Sequence, residues 1–467
     1  MPILGRRTLW CALVLLGCGD AGHDAAEADE LDTAWSTWSD EATPATAAPI
    51  WYAQSLKLSG AKLDKMARRA GSSSREPIAL FAGAAGASAS TGGFLLRAGE
   101  YGALIQFHEM AGSFGAPLAD VSLLDHQTEA VTRTLGQLSA KDEGVVSGDP
   151  GGWRRAYLRF TVSKADEGRA MRIQLKQSAS TQSWRLGAVV LHREGRPFWA
   201  VAHNPNGMNQ LRAAIAQGAN AIEPDLSYGS DDGTRPLEER VSVAEEGSTL
   251  MMGCPINSFG RSKLDDYLKV LRDEAPGRLM IWDSKPGGCR GEHVDYTLFA
   301  QLFVDGAKRA GFDLSRSVYN ITSENMSPAY NALPEGMGRA WDGIFVQVNQ
   351  RSDAEWMAPV LAHQLTFQGL GVTPLLQINA KWTKPIATYV RAREQGAMPQ
   401  KIYFWTANED FAIRRVLDTS IDALISDDIP LLRQILNTFP YSRMYRYANE
   451  QDDVHARYEP GWIKPAP

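Results

Sequence analysis

The second half of the chain repeats one pattern from Phe198 onward: a short apolar run, then a loop, then a segment with the spacing of an amphipathic helix. The apolar runs predict eight strands, at Trp199–His203, Ala221–Leu226, Leu279–Asp283, Ser317–Thr322, Gly343–Val348, Thr373–Ile378, Lys401–Trp405 and Ile421–Ser426. The predicted helices between them include 207–217, 262–274, 296–310, 353–367 and 384–395. Eight such repeats predict an α/β fold, a closed (β/α)8 or TIM barrel, whose catalytic residues lie where the strands end.

The preceding region, residues 50–193, has a different sequence pattern. It contains short alternating apolar runs, such as 153–162 and 171–175, separated by turn residues. Several short strands of this kind predict an all-β sandwich, similar to the jelly-roll modules that accompany bacterial hydrolases. Trp51, Trp153 and Trp184 could form a stacking platform for a glycan, or they could pack inside the sheets.

The first 18 residues have the layout of a bacterial secretion signal. Arg6 and Arg7 precede an apolar run that ends at Gly17-Cys18, and this run is shorter than the about 20 residues that span a membrane. The order Leu15-Leu16-Gly17-Cys18 resembles a lipoprotein processing box, which would make Cys18 a lipid anchor at the membrane surface; an ordinary cleaved signal is the alternative. We therefore expect an exported protein, either a lipoprotein of the bacterial cell envelope or a secreted one.

Length and charge bound the remaining possibilities. A chain of 467 residues exceeds one ordinary domain, and a net charge of -6 without a basic stripe argues against nucleic acid as a partner. The predicted organisation is a signal at 1–18, a disordered tether at 19–49, a β-sandwich at 50–193, a barrel at 198–437 and a C-terminal tail at 438–467.

Polar residues concentrate where the first three barrel strands are predicted to end. His203 ends the first strand, Glu223 and Asp225 occupy alternate positions of the second and so face one side, and Asp283 ends the third. Three carboxylates at neighbouring strand ends suit a hard divalent cation, so Mg2+ is expected, with Ca2+ as the alternative. Such a cation would polarise a phosphoryl oxygen, and Lys285 could hold a phosphate oxygen as a point charge.

These segments resemble the glycerophosphodiester phosphodiesterase superfamily, and more closely the sphingomyelinase D-like phospholipases. The matching stretches are Ala202-His203-Asn204, Gly218 to Asp225, Gly253-Cys254-Pro255 with Gly260-Arg261, Ile281 to Lys285, Ile402 to Asn408 and Ile421 to Asp427. The resemblance implies that His203 is catalytic, that Glu223, Asp225 and Asp283 bind Mg2+, that Lys285 contacts phosphate, and that Tyr403 and Trp405 wall the substrate pocket. It covers the barrel and says nothing about residues 1–193.

The same resemblance implies a phosphoric diester hydrolase or lyase acting on lysophospholipid, sphingophospholipid or glycerophosphodiester headgroups. One position departs from the family, because Met252 stands where its second histidine belongs and a thioether cannot transfer a proton. Either another residue replaces that histidine, with His293 as the candidate, or the barrel is catalytically impaired and serves as a surface protein that binds lipid or glycan. A disulfide between Cys254 and Cys289 would hold the His293 loop near the site.

The tail also bears a resemblance. Some members of the family close the bottom of the barrel with a short motif that runs from an alanine to a tryptophan, and the segment from Ala456 to Trp462 looks similar at its two ends. A loosely docked terminal strap is the alternative for this segment.

Overall fold

The structure is a computed structural model. It describes residues 49–64, 78–82, 85–109, 117–139, 146–147, 153–178, 183–228, 241–244, 261–285, 295–322, 324–344, 353–371, 383–456, 458 and 463–466. The predicted signal and nearly all of the predicted tether lie outside the described residues, as do Met252, Cys254, Cys289, His293 and Trp462. Within the described ranges, no helix combines the length and the apolar character needed to cross a membrane.

Residues 49–193, the antiparallel region, form two antiparallel sheets. Their strands are β1 (Ile50–Tyr52), β2 (Lys57–Ser59), β3 (Lys62–Asp64), β4 (Ile78–Ala82), β5 (Ser88–Ser90), β6 (Phe94–Leu96), β7 (Gly99–Glu109), β8 (Ala119–Asp125), β9 (Val131–Leu138), β10 (Val146–Ser147), β11 (Trp153–Val162), β12 (Ala170–Gln177) and β13 (Ser183–Arg193). The first sheet has the order β10-β11-β7-β13-β4-β3, with β1 beside β13. The second has the order β2-β5-β12-β6, and β8 joins β12 to β9.

One apolar core lies between these sheets. Residues from both of them contribute to it, including Phe81, Phe107 and Ile173. Trp51 and Trp184 lie in this core at 1% and 0% exposed, Trp184 stacks on Phe81 with 4.0 Å between ring centres, and Trp153 is 5% exposed. The three tryptophans therefore pack inside the protein and offer no exposed platform for a glycan.

The second half is an α/β barrel with additional short strands. Its strands are β14 (Arg196–His203), β15 (Ala221–Glu223), β16 (Asp225–Tyr228), β17 (Val241–Ala244), β18 (Arg261–Lys263), β19 (Leu279–Lys285), β20 (Ser317–Ile321), β21 (Gly338–Ile344), β22 (Phe367–Gly371), β23 (Lys401–Trp405), β24 (Ala423–Ser426), β25 (Tyr445–Tyr447) and β26 (Ile463–Pro465). Strands β14, β15, β19, β20, β21, β22, β23 and β24 pair in parallel in this order, and β24 pairs with β14. The expected closed parallel barrel of eight strands is therefore confirmed.

The helices lie between the barrel strands or follow them. They are α1 (Met208–Ala216), α2 (Leu264–Glu274), α3 (Tyr296–Ala310), α4 (Asp353–Ala362), α5 (Thr383–Glu394), α6 (Asp410–Leu417), α7 (Ile429–Leu436) and α8 (Tyr441–Met444), with 3-10 turns at Ala53–Ser55, Leu314–Arg316 and Glu324–Ala332. Helix α3 shows how sequence sets these bounds. The Asp295 side chain accepts from the Leu298 N–H at its start, and Gly311 takes a φ of 63° at its end.

Two strands begin earlier along the chain than predicted, and residues 345–348 and 373–378 of the predicted runs lie outside the described residues. The fifth begins at Gly338, earlier than the predicted Gly343, and the sixth is Phe367–Gly371, earlier than the predicted run from Thr373. The helix before the sixth strand is correspondingly shorter and ends at Ala362, because Gln364 takes a φ of 50° that an α-helix cannot contain. The sixth strand was not predicted at its observed position because it contains Gly369 and Gly371. Glycine lowers strand propensity, and it does so here although the whole strand is buried.

The tail closes the end of the barrel at which the strands begin. Ala448 and Val454 pack into the core inside the barrel with Trp199, Ile281 and Phe367. This contact lies just before the predicted closing motif. Farther along the tail, β26 pairs with β6 and so joins the second sheet of the antiparallel region.

Candidate metal and histidine site

Three carboxylates meet at the ends of neighbouring barrel strands. Glu223 ends β15, Asp225 begins β16, and Asp283 lies near the end of β19, where it is in register with Asp225. Each offers an oxygen within 4.8 Å of the others, and the three residues are 5%, 0% and 8% exposed. The structure thus brings together the three residues predicted as metal ligands.

Lys285 lies inside the same cluster. Its Nζ is 2.5 Å from Asp225 Oδ1 and 3.3 Å from Asp283 Oδ2. Three ionised carboxylates and one lysine leave two negative charges without compensation in a buried place, where charges are normally paired or bound to metal. The residues therefore fit a hard divalent cation. Such a cation binds through oxygen ligands alone and would supply the two missing positive charges.

The electrostatics of the cluster show the same shortage of positive charge. Burial, followed by the Asp225 and Asp283 carboxylates, raises the pKa of Glu223 well above its usual value, and burial raises the pKa of Asp283. For Lys285 burial acts in the opposite sense, but Asp225, Asp283 and Glu223 outweigh it and raise the pKa of the lysine. Lys285 therefore stays charged, while the carboxylates are costly to ionise without a further cation.

Two asparagines that follow β14 orient these carboxylates. Asn206 donates from Nδ2 to Asp225 Oδ2 at 2.7 Å and accepts from the Asp225 N–H at 2.9 Å. The Asn204 N–H donates to Glu223 Oε2 at 3.2 Å, and its side-chain nitrogen, with the amide oriented to face Asp225, lies 2.8 Å from Asp225 Oδ2. Asn204 belongs to the matching stretch Ala202-His203-Asn204 and Asn206 lies two residues after it, but neither asparagine was predicted to have a role.

His203 stands beside the carboxylates at the end of β14. It is in register with Glu223 on one side, and the residue before it, Ala202, is in register with Ser426 of β24 on the other. Its side chain is 26% exposed, and Nδ1 lies 2.7 Å from Asp427 Oδ1. Sequence reasoning missed Asp427 as a partner. The available signal was its position directly after the eighth strand, at the catalytic end of the barrel.

A hydrogen-bonded chain extends from the acidic cluster into the barrel. Asn320 Nδ2 donates to Asp283 Oδ1 at 3.1 Å and to Asp342 Oδ2 at 2.6 Å, and the Tyr403 hydroxyl donates to Asp342 Oδ1 at 2.5 Å. Burial, followed by the Asp283 charge, raises the pKa of Asp342 to about 8. Neither Asn320 nor Asp342 was predicted, because Asn320 lies inside the fourth strand and Asp342 precedes the predicted start of the fifth.

The two predicted wall residues differ in exposure. Tyr403 is 0% exposed and its hydroxyl is engaged by Asp342, so it supports the site from inside the barrel in this structure. Trp405, at the end of β23, is only partly buried. The role of both residues in a substrate pocket stays a prediction.

Comparisons with known proteins point to one family. Residues 297–455 match the family model described as dermonecrotic toxin SPH. The chain is 23% identical over 292 residues to a dermonecrotic toxin of Loxosceles intermedia, LiSicTox-alphaII2, covering 57% of this chain and 89% of the toxin. It is 21% identical over 284 residues to LgSicTox-alphaIC1 of Loxosceles gaucho, covering 55% of this chain and 96% of that toxin.

A solved structure is also similar. A putative glycerophosphoryl diester phosphodiesterase from Agrobacterium tumefaciens superposes with a TM-score of 0.40 at 14% identity, covering 51% of this chain and 97% of that chain. The resemblance inferred from the sequence motifs is confirmed by the family match and the toxin relatives, which also support the expected enzyme class, a phosphoric diester hydrolase or lyase. The matched family segment contains Trp405 and Asp427 but begins after Asp283.

Proposed function

Because its barrel is related to the dermonecrotic toxins, we propose that this protein is a metal-dependent phosphodiesterase of the phospholipase D or sphingomyelinase D kind. The observation that carries the proposal is the buried group of Glu223, Asp225 and Asp283 beside His203. Three buried carboxylates that share one lysine would not stabilise the end of the barrel. A cation-binding site, in contrast, requires such a set of carboxylates.

Glu223, Asp225 and Asp283 would hold the cation, for which Mg2+ is proposed and Ca2+ is the alternative. When bound, this ion would polarise a phosphoryl oxygen and offset the charge that develops as a phosphodiester is attacked. The amides of Asn204 and Asn206 would keep the Asp225 carboxylate in place.

We assign the remaining chemical steps, proton transfer and phosphate binding, to side chains that lie around the carboxylates. Among the described residues, His203 ends the first barrel strand beside the carboxylates with its imidazole 26% exposed, so we assign it the proton transfer, or the attack, at phosphorus. Lys285 is 20% exposed and would contact a phosphate oxygen from the open side. Trp405 would border the headgroup.

The proposed substrates are lysophospholipids, sphingophospholipids or glycerophosphodiesters. We further propose that the domains follow the predicted boundaries, with residues 50–193 as a jelly-roll-like accessory sandwich for which a glycan is one ligand to test. Export, with Cys18 as a lipid anchor, would bring the barrel to the membrane surface where such substrates lie.

Release of the headgroup from lysophosphatidylcholine, sphingomyelin and glycerophosphocholine tests this function, with Mg2+ and with a chelator. The protein should turn over at least one of them in Mg2+ only, and His203→Ala and Glu223→Gln should each lower kcat by about 10²-fold or more. Glu409→Gln, which removes a carboxylate ahead of α6, is the matched control and should keep full activity. Wild-type turnover no greater than that of His203→Ala on all three substrates would rule out the enzyme.

Met252 favours a second candidate function, because it replaces the second histidine of the family. In that case the barrel would bind metal and lipid headgroups at the cell surface without turnover. Sedimentation with vesicles of lysophosphatidylcholine or sphingomyelin, dependent on Mg2+ and on Asp283, combined with no headgroup release, would establish this alternative.

A further inference from the structure

Three buried residues stand behind one of the proposed metal ligands, Asp283. Asn320 Nδ2 donates to Asp283 Oδ1 at 3.1 Å and to Asp342 Oδ2 at 2.6 Å, and the Tyr403 hydroxyl lies 2.5 Å from Asp342 Oδ1. None of these four residues is more than 8% exposed. Asn320, Asp342 and Tyr403, called the interior chain below, therefore reach the acidic cluster through Asp283.

The Asn320 amide is oriented by two carboxyl groups. Its Nδ2 carries two hydrogens, and each hydrogen has one acceptor, on Asp283 or on Asp342. Turning the amide over would instead place Oδ1 against carboxylate oxygens, which can only accept. Oδ1 is itself buried, and it has no hydrogen-bond partner among the described residues. Because an unsatisfied buried carbonyl is destabilising, this orientation serves the two carboxyl groups at a cost in stability.

Asp342 and Tyr403 meet across a strand that lies between their own. Strands β21 and β23 both pair with β22, and Asp342 and Tyr403 are each in register with Gly369. A Cβ at Gly369 would lie 1.7 Å from Asp342 Oδ1 and 2.6 Å from the Tyr403 oxygen. The lack of a side chain at position 369 thus leaves the gap in which the carboxyl and the hydroxyl meet.

Tyr403 lies deeper in the barrel than Trp405. The two residues are two positions apart on β23, so they face the same side of the strand. Trp405 ends the strand and is partly buried, whereas Tyr403 is 0% exposed and its hydroxyl is engaged by Asp342. A substrate contact would require the Tyr403 hydroxyl to leave this bond, which places Tyr403 behind the metal ligands.

We infer that the interior chain positions the Asp283 carboxylate for the cation, and that the Tyr403 hydroxyl serves this ligand and not the substrate. This inference rests on the proposed function, in which Asp283 binds Mg2+. Tyr403 holds Asp342, Asp342 holds the Asn320 amide, and the amide holds Asp283 Oδ1. Lys285 Nζ lies 3.3 Å from Asp283 Oδ2, so a carboxylate released by Asn320 would turn toward the lysine.

Calorimetric titration of the full-length protein with Mg2+, in the absence of substrate, tests the inference. Tyr403→Phe removes one oxygen and keeps the ring. The Kd for Mg2+ should rise about 3–10-fold, because Asp342 loses the partner that holds it. The KM for the headgroup substrate, measured at saturating Mg2+, should change less than about twofold.

Two substitutions of Asp342 separate positioning from proton transfer. Asp342→Leu should raise the Kd for Mg2+ about 10–100-fold, because nothing then accepts from the second hydrogen of Asn320 Nδ2. Asp342→Asn should bring the Kd back to within about threefold of the wild type. Its oxygen can accept from Asn320 while its NH2 group donates to the Tyr403 oxygen, although an amide cannot transfer the proton of a carboxylic acid.

Tyr319→Phe is the matched control. Tyr319 precedes Asn320 on β20, is 0% exposed, and forms its hydroxyl hydrogen bond with Ser284 Oγ at 2.9 Å. It points to the opposite face of the strand from Asn320, so this variant loses a buried hydroxyl outside the interior chain. The Kd for Mg2+ and the KM should both match the wild type.

An unchanged Kd for Mg2+ in Tyr403→Phe would overturn the inference, and a rise in KM alone would place its hydroxyl on the substrate. Equal losses of affinity in Asp342→Asn and Asp342→Leu would also overturn it. The titration needs no substrate, so it decides the role of the interior chain even if the protein turns over none of the phosphodiesters. An active wild type whose Tyr403→Phe and Asp342→Leu variants bind Mg2+ normally would leave the proposed function standing without these residues. A wild type that binds no Mg2+ would overturn the proposed Mg2+ site and this inference together.

Discussion

Two glycines of β22 lie where side chains of the neighbouring strands need the space that a Cβ would fill. A Cβ at Gly371 would lie 2.0 Å from the Trp405 ring, and a Cβ at Gly369 would lie 1.7 Å from Asp342 Oδ1. Neither contact can be relieved without moving the ring or the carboxylate. At these two positions glycine is required by the residues it faces, and the backbone conformation plays no part.

Gly371→Ala should displace Trp405 and weaken substrate binding. We expect KM for the headgroup substrate to rise about tenfold with kcat changed less than about threefold, because the indole is displaced and the carboxylates are untouched. A double-mutant cycle with Trp405→Ala provides the check: in that background Gly371→Ala should add nothing to KM. An equal effect of the alanine in both backgrounds would contradict the role assigned to this contact.

Single residues also show how far the sequence could predict the site. His203, Glu223, Asp225 and Asp283 were predictable because strand alternation and strand ends, both visible in the sequence, determine where they point. Asp427 and Asn320 reach the site only through the register between paired strands, β24 with β14 and β20 with β19. The spacing of residues in the sequence does not determine that register. The metal ligands were therefore predicted, but their hydrogen-bond partners were not.

At the scale of secondary-structure elements, β11 and β13 of the antiparallel region join the barrel through buried polar groups. Arg155 Nε, on β11, is 2.5 Å from Asp418 Oδ2, and both side chains are 1% exposed. Asp418 also accepts from Gln106 of β7 and from the Tyr441 hydroxyl, each at 2.9 Å. Asp418 follows α6 directly, so this junction lies at the end of the barrel opposite the acidic site.

Arg155→Met should destabilise the protein by about 3–5 kcal/mol, since it leaves the buried Asp418 charge without its cation. Urea unfolding measures the change. Adding Asp418→Asn to this variant should restore part of the loss, because the unpaired charge is then removed. Arg159→Met on the same strand is the control, because its ion pair with Glu194 is partly exposed and should cost less than about 1 kcal/mol.

A second element contact should make stability depend on pH. His192 of β13 is 1% exposed, and its Nδ1 lies 2.5 Å from Ser420 Oγ of the barrel. Burial, followed by the charge of Arg196, lowers the pKa of His192 to about 3. Because the unfolded chain binds the proton first, stability present above about pH 6.5 should be lost as pH falls toward 3, by at most about 1.4 kcal/mol per pH unit.

Urea titrations of the wild type and of His192→Gln between pH 7 and pH 4 test this dependence. The difference in unfolding free energy between the two proteins should shrink as the pH falls, because glutamine does not titrate. Parallel pH profiles for the two proteins would show that His192 is not responsible.

At this scale, the helices and strands with clear hydrophobic periodicity were the ones that the sequence predicted correctly. Helix α3 was predicted at its observed bounds, and an aspartate and a glycine mark its two ends in the structure. Strand β22 was misplaced because its buried positions carry glycines, which pattern reasoning treats as breaks. The contents of the antiparallel sheets were predictable as short alternating runs, but their strand order depends on long-range pairing that no local pattern specifies.

At the scale of the whole molecule, the tail connects the two halves. It leaves the end of the barrel after Val454, and the Tyr458 ring lies 5.7 Å from the Arg196 guanidinium at the junction. The tail then forms β26 against β6, where Ile463 is 1% exposed in the core between the two sheets.

Ile463→Ala should cost about 2–4 kcal/mol, because it removes apolar volume from a packed core and the site cannot fully collapse. The loss should appear in the antiparallel region, as faster amide exchange of β6 and β12, while exchange in β19 and β20 is little changed. Val131→Ala, at a residue 60% exposed, is the control and should change stability by less than about 0.5 kcal/mol. Equal acceleration in both halves would indicate a single cooperative unit.

The pairing of β26 with β6 also orders events during synthesis. Strand β6 leaves the ribosome before any barrel strand, and β26 follows all of them in the chain. The second sheet therefore waits, with one edge of β6 uncovered, until the barrel has been translated. A nascent chain interrupted within the barrel would present that edge to other chains, so completion of the barrel protects the first half of the protein from misassembly.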